Sequence, residues 1–243
     1  PWVNDIKVFC ETFANKKKQP ALILKTSGAG YSIIDKEATL EKIKLVKSKF
    51  PSDWKLPNVY LLHGDLSQKE MNYLYNHPKV KSFVSFTHGE GFGRPLLEAT
   101  MTGLPVIVSN WSGHIDFMGS DKAILLNGEL KPVPKSQVWK DIVIQESQWF
   151  NVNEKDAFRS LLYGFQNHQD LKRNADSLMK TNREKFTLDK MVEKLDEIME
   201  KYIKNMPTQV GLNLPKLKKV SSNNEEKSKK IKLPKLKKVK ETV

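Results

Sequence analysis

The sequence predicts an α/β fold: a Rossmann-like parallel sheet with helices on both faces, then C-terminal helices and a disordered basic tail. Three observations predict it. Short apolar runs alternate with segments of helical periodicity as far as about Asn127. The runs have buried-strand length, and parallel strands need long crossovers, which the helical segments supply. From Asn153 the pattern is helical alone, and after Met206 lysine dominates.

Ile6, Phe9, Cys10 and Phe13 fall at i, i+3, i+4 and i+7 and mark one helix face. Ala21–Leu24 reads as a buried strand. Leu40, Ile43, Val46 and Phe50 outline a second helix, and Val59–Leu62 a second strand. Ser67-Gln-Lys-Glu70 is a capping-box signature, opening a helix that buries Met71, Leu74 and Tyr75. Val80–Phe86, Leu104–Ser109 and Ala123–Leu126 are the remaining strands, with a helix over Pro95–Thr102. Residues 131–148 read as an irregular covering excursion. Trp139, Trp149 and Phe150 are expected in the core or a domain interface. Phe158, Leu161, Leu162 and Phe165, and later Met191, Leu195, Ile198 and Tyr202, form apolar helix stripes that should pack on something rather than stand free.

The 243 residues allow one large domain or two small ones, and 39% hydrophobic residues suffice for a core. Residues 207–243 hold eleven Lys and three Glu, a net of +8, which leaves +5 of the total +13 for the body. The basic character is therefore mostly the tail's. That tail carries Leu-Pro-Lys-Leu-Lys-Lys-Val twice, at 214–220 and 233–239, where proline and charge oppose helix and burial. The domain reading is 1–206 as one unit, with 153–206 its C-terminal helices, and 207–243 as tail. A solvated tail and attraction to an anionic membrane surface both suit that composition. Nucleic acid suits it less, because the repeats lack aromatics and arginine. The one cysteine, Cys10, fits a reducing compartment, and no apolar run approaches the roughly 20 residues of a membrane span. The expectation is a cytoplasmic protein, peripheral to a membrane if the tail engages one. Beginning on Pro1, the chain reads as a fragment or processed product.

Open parallel sheets bind ligands outside the carboxyl ends of their strands, which selects the loops after Leu24, Leu62, Phe86, Ser109 and Leu126. The chemistry concentrates after Phe86, in Thr87-His-Gly-Glu-Gly-Phe-Gly-Arg-Pro-Leu-Leu-Glu-Ala99. Gly89, Gly91 and Gly93 let a ligand approach the backbone, and the following helix N-terminus attracts phosphate oxygens. Glu90 sits in the loop, and Glu98 is expected in the first helical turn, leaning back over it. Carboxylates beside a phosphate site must face neutral groups, and sugar hydroxyls donate to carboxylates. Backbone amides and Arg94 would then hold a diphosphate, one carboxylate a ribose and the other a sugar. That describes a nucleotide-diphospho-sugar. His88 is suited to a phosphate or sugar hydroxyl and equally to an ordinary structural role. His114, in Trp111-Ser-Gly-His-Ile-Asp116, follows another strand end and is a candidate ligand contact, with Asp116 a weaker one. Lys25, ending the first strand, is a candidate that could approach the site.

Glu90-Gly-Phe-Gly-Arg-Pro-Leu-Leu-Glu-Ala-Thr-Met-Thr-Gly-Leu-Pro-Val-Ile-Val-Ser-Asn110 resembles the signature of glycosyltransferase family 4, whose two acidic residues form an E-x7-E pair. The resemblance is strong over 85–110 and looser over 2–128. It implies the C-terminal, donor-binding half of a GT-B fold and a retaining transfer that needs no metal or other cofactor. It further implies Glu90 as the catalytic carboxylate on the transferred sugar and Glu98 on the ribose. Amides from Phe92 to Arg94 would hold the sugar or diphosphate, and Gly64 to Leu66 would line the base. The family's basic pair lies just before the first helix of its donor domain and has no counterpart here. Nor is there a counterpart to the N-terminal acceptor domain, so the fragment alone is expected to transfer poorly or not at all. The function expected is hexosyl transfer to a glycan, lipid or protein acceptor. The alternatives are a donor-domain relic acting as a binding or scaffold module, and another GT-B enzyme such as a sugar-nucleotide epimerase or a phosphorylase.

Overall fold

The computed structural model describes residues 2–26, 32–119, 121–139 and 141–203. It divides into a unit through Ile198 and a second from Met199. The tail expected over 207–243 lies outside the described residues.

The elements alternate as the apolar runs require: α1 (Trp2–Phe13), β1 (Leu22–Lys25), α2 (Ile33–Lys47), β2 (Val59–Leu62), α3 (Gln68–Asn76), β3 (Phe83–Ser85), α4 (Arg94–Met101), β4 (Val106–Ser109) and β5 (Ile124–Leu126). A hairpin of β6 (Gly128–Pro132) and β7 (Gln148–Val152) follows, then α5 (Glu154–Gln166), α6 (His168–Lys185) and α7 (Leu188–Ile203). β1 pairs with β2 in parallel, and β3, β4 and β5 form a parallel sheet in that order. Among the described residues the expected single sheet is thus two parallel pieces, with no ladder joining β1 to β3. α1 connects them by packing. Val8, Phe9 and Phe13 meet Phe86, Ile107 and Leu126, while Ile6 and Cys10 meet Ile43, Val46 and the β1–β2 pair.

Period-two alternation puts helices on both faces of β3–β5. Val84, Ile107, Ile124 and Leu126 point toward α1 and α5. Phe83, Val106, Val108 and Leu125 point toward α3 and α4, in a cluster with Tyr75, Leu96 and Leu97. Each fully buried aliphatic side chain here stabilises by roughly 1.5–3 kcal/mol. The capping box forms as read: Ser67 N–H donates to Glu70 Oε2 at 2.8 Å and Glu70 N–H to Ser67 Oγ at 3.3 Å. On the α4 side, buried Asn182 of α6 donates to Thr100 Oγ1 at 2.8 Å and to the Phe117 carbonyl at 3.0 Å.

Three expectations are corrected. Residues 131–148 are not simply irregular: their ends extend β6 and β7 into an antiparallel ladder. Of the two places expected for Trp139, the core is ruled out: it stands 65% exposed at the far end of that hairpin. No residue of α7 is buried, and Met191, Leu195 and Ile198 of its stripe stand 62%, 54% and 46% exposed. Its apolar face is real, but periodicity reports only that a face exists, not that its partner is present.

Candidate functional site

The loop after β3 is held by two neighbours. Phe86 is buried beneath α1, and Thr87 Oγ1 accepts the Gly89 N–H at 3.3 Å. The backbone of Glu90 is clamped from the loop after β4. Its N–H donates to Ser112 Oγ at 3.1 Å, and its carbonyl accepts from Ser112 Oγ at 2.7 Å and Gly113 N–H at 3.0 Å. Ser112 adopts φ 86°, ψ −171°, a region that costs a non-glycine residue about 1–3 kcal/mol and persists only where its surroundings enforce it. Gly113 has no room for a side chain: a Cβ there would lie 2.1 Å from the Gly91 carbonyl oxygen. Gly93, at φ 82°, caps α4 without a side-chain bond; its carbonyl accepts from Leu96 and Leu97 N–H at 2.9 and 3.1 Å, Pro95 has no N–H, and the Arg94 amide is left open toward the loop.

α4 begins at Arg94, one residue earlier than Pro95 suggests. Glu98 therefore lies in the second turn, not the first, because glycine at the left-handed cap lets the helix start before the proline. It still leans back, and Arg94 Nε sits 3.2 Å from Glu98 Oε1. That pair is exposed and contributes about 0–1 kcal/mol, so a ligand could displace it. Gly89, Gly91 and Phe92 are exposed and Glu90 is half-buried. Phe92 packs its ring 5.4 Å from that of Phe117. The carboxyl-bearing loop thus has a fixed backbone and a reachable surface.

Both histidines are engaged by the fold. His88 Nδ1 donates to the Phe150 carbonyl at 2.8 Å and its ring stacks on Trp149 at 4.7 Å. A carbonyl only accepts, so Nδ1 carries the proton and Nε2 is left as an acceptor when the ring is neutral. His114 is fully buried, with Nε2 2.7 Å from the Ser109 carbonyl, and its Nδ1 has no partner among the described residues. Trp111 stacks on Phe150 at 6.1 Å. The β6–β7 hairpin therefore braces both loops of the site.

A second group lies at the carboxyl ends of β1 and β2. Lys25 Nζ donates to the Gly64 carbonyl at 2.6 Å, bringing two of the candidate residues together, with half-buried Leu66 beyond. His63 Nε2 meets Asp35 Oδ2 at 2.6 Å in the same region. Shallow apolar hollows of about 340 and 360 Å³ run along α3, lined by Leu62, Leu74 and His77 among others. Neither is lined by the glycine-rich loop, and Leu66 borders the first of them.

Two residues escape a sequence reading. Asp5, in the first turn of α1, has its carboxyl pushed up to about 6 by burial, opposed by its interaction with the Phe86 backbone. Its Oδ1 is buried with no partner among the described residues. Tyr75 is pushed up to about 12 by burial and by the Glu98 charge, against the lowering effect of Arg94, so this α3 side chain lies close to the carboxylate of α4. A phase in the helix pattern marked Tyr75 as inward-facing, but nothing in one dimension connects it to Glu98.

A family model described as glycosyl transferases group 1 matches residues 4–146, which include the entire glycine-rich loop. Among solved structures, a glycosyltransferase from Rickettsia africae ESF-5 is similar with a TM-score of 0.55 at 16% identity. The match covers 83% of this chain and 44% of that one, so this chain spans less than half the length of that structure's. At that identity the likeness is one of fold. No match was found among curated proteins.

Proposed function

Because the chain belongs to the group 1 glycosyl transferases, we propose that it is the donor-binding half of a retaining enzyme of the GT-B, E-x7-E type. It takes a nucleotide-diphospho-sugar and passes a hexose to a glycan, lipid or protein acceptor. The supporting observation is the clamp on Glu90: three hydrogen bonds hold its main chain while the residue stays only half-buried. Preorganised groups of this kind favour the transition state because they need no reordering during reaction.

In this reading Glu90 is the catalytic carboxylate against the transferred sugar, and Glu98 exchanges Arg94 for the ribose hydroxyls. Arg94 and the open amides from Gly91 to Arg94 take the diphosphate, whose charge grows as the bond to the anomeric carbon breaks. Gly64 and Leu66 line the base, with Lys25 holding that loop in place. His88 offers Nε2 to a hydroxyl. His114, being buried, acts through the loop it packs beneath. Residues 1–206 form the donor unit and 207–243 a basic tail; full transfer needs an acceptor-binding domain as well.

The test is calorimetry with a panel of uridine, guanosine and adenosine diphosphate sugars, on the parent and on Glu98→Ala. Losing charge-assisted hydrogen bonds of about 1.5–3 kcal/mol each should weaken the preferred donor by roughly tenfold or more. Unchanged affinity removes the ribose role.

A further inference from the structure

We propose that Tyr75 is a positioning residue for the donor site: its hydroxyl takes up the Glu98 carboxylate when the ligand draws Arg94 away. This rests on the donor reading of Glu98, and adds to it the group that steadies that carboxylate once its arginine has left.

Tyr75 lies in the last turn of α3, 7% exposed, in one apolar cluster with Leu96, Leu97 and Ala99 of α4. Its ring centre is 6.2 Å from that of Phe83 on β3. The hydroxyl oxygen is buried and meets no partner among the described residues. A buried tyrosine hydroxyl ordinarily finds a partner, because leaving it dry carries the full desolvation cost of the group. Phenylalanine would fill the same space without that cost. An unmet donor in this place calls for an acceptor that the pairing of Arg94 with Glu98 now holds elsewhere.

Electrostatics names that acceptor. The charges acting on the phenol come from Glu98 and, in the opposite sense, from Arg94. Burial and the Glu98 charge push the phenol up to about 12, so it keeps its proton and meets a carboxylate as a donor. Glu98 itself is held by the exposed Arg94, with Oε1 and Nε 3.2 Å apart, and such pairs contribute little in solvent. That pair opens when Arg94 turns to a diphosphate. A carboxylate freed in this way regains its side-chain entropy, which binding a ribose diol must then remove. A fixed donor from the neighbouring helix lessens that loss. The two carboxylate oxygens offer about four lone-pair sites, room for two ribose hydroxyls and the phenol together. Hydrogen bonds to an ionised acceptor are about twice as strong as neutral ones.

The experiment is calorimetry of the full chain with the panel of uridine, guanosine and adenosine diphosphate sugars, following the tightest. It compares the parent, Tyr75→Phe, Glu98→Ala and the double variant, beside urea unfolding of each without donor. Tyr75→Phe removes a buried oxygen that has no partner, so its unfolding midpoint should equal or exceed the parent's while donor affinity falls roughly tenfold. In the Glu98→Ala background the same substitution should change affinity by less than about twofold, since the phenol acts through that carboxylate. Parent-like affinity in Tyr75→Phe, with Glu98→Ala weakened, overturns the positioning role and leaves the donor reading standing. Equal losses in both backgrounds overturn it too, because the phenol then acts by another route. An affinity loss accompanied by a lower unfolding midpoint makes the hydroxyl a structural partner and overturns it as well. Unchanged affinity in Glu98→Ala, or a parent that binds none of the panel, removes the donor reading and this proposal with it.

Discussion

Asp5→Asn should stabilise the protein above pH 6 and not below pH 4. Burial lifts the Asp5 carboxyl from its ordinary 3.8 to about 6. The folded state therefore binds a proton that the unfolded state has already released between those values. Stability conferred by the protonated form is complete below pH 4, falls as pH rises through 6, and stays lost above it. At about 1.4 kcal/mol per pH unit, the penalty on the ionised parent is roughly 3 kcal/mol. Asparagine keeps an acceptor for the Phe86 backbone and has no charge to desolvate. Urea unfolding of both proteins at pH 4, 5, 6 and 7.5 measures the difference directly. A gap that opens from near zero at pH 4 to about 2–3 kcal/mol at pH 7.5 supports the reasoning. Parallel pH profiles, or a variant less stable at pH 7.5, would show that the carboxylate is compensated and refute it.

Other substitutions probe the loop and its support. Gly113→Ala must push the Gly91 carbonyl aside, so it should cost about 1–3 kcal/mol in thermal unfolding and weaken donor binding as the Glu90 clamp opens. Gly91→Ala meets nothing within 4 Å and should leave the melting temperature unchanged; a calorimetric loss of donor affinity there would show that the ligand approaches that backbone, and no loss that it does not. Asn182→Ala leaves Thr100 and the Phe117 carbonyl without a buried donor and should lower stability by about 1–3 kcal/mol in urea unfolding, with donor affinity little changed.

The α/β alternation was legible because each strand and crossover is a local pattern: β2 begins and ends where its apolar run does, and the Ser67–Glu70 box opens α3 as read. The glycine-rich loop was legible for the same reason, since three glycines, a carboxylate and a helix start lie within ten residues. What one dimension cannot express is pairing between distant segments. Ser112 and Gly113 clamp Glu90 across more than twenty residues, and Phe150 anchors His88 across sixty-two. Burial decided the rest. His114 reads as an available imidazole but is enclosed and bonded to Ser109, and Trp139, read as core or domain interface, is exposed and not core. Side-chain type sets the chemistry a residue can perform, and local periodicity sets the element it occupies. Which groups meet, and which of them remain within reach of a ligand, follows from packing between elements, an energy that depends on contacts no local pattern contains.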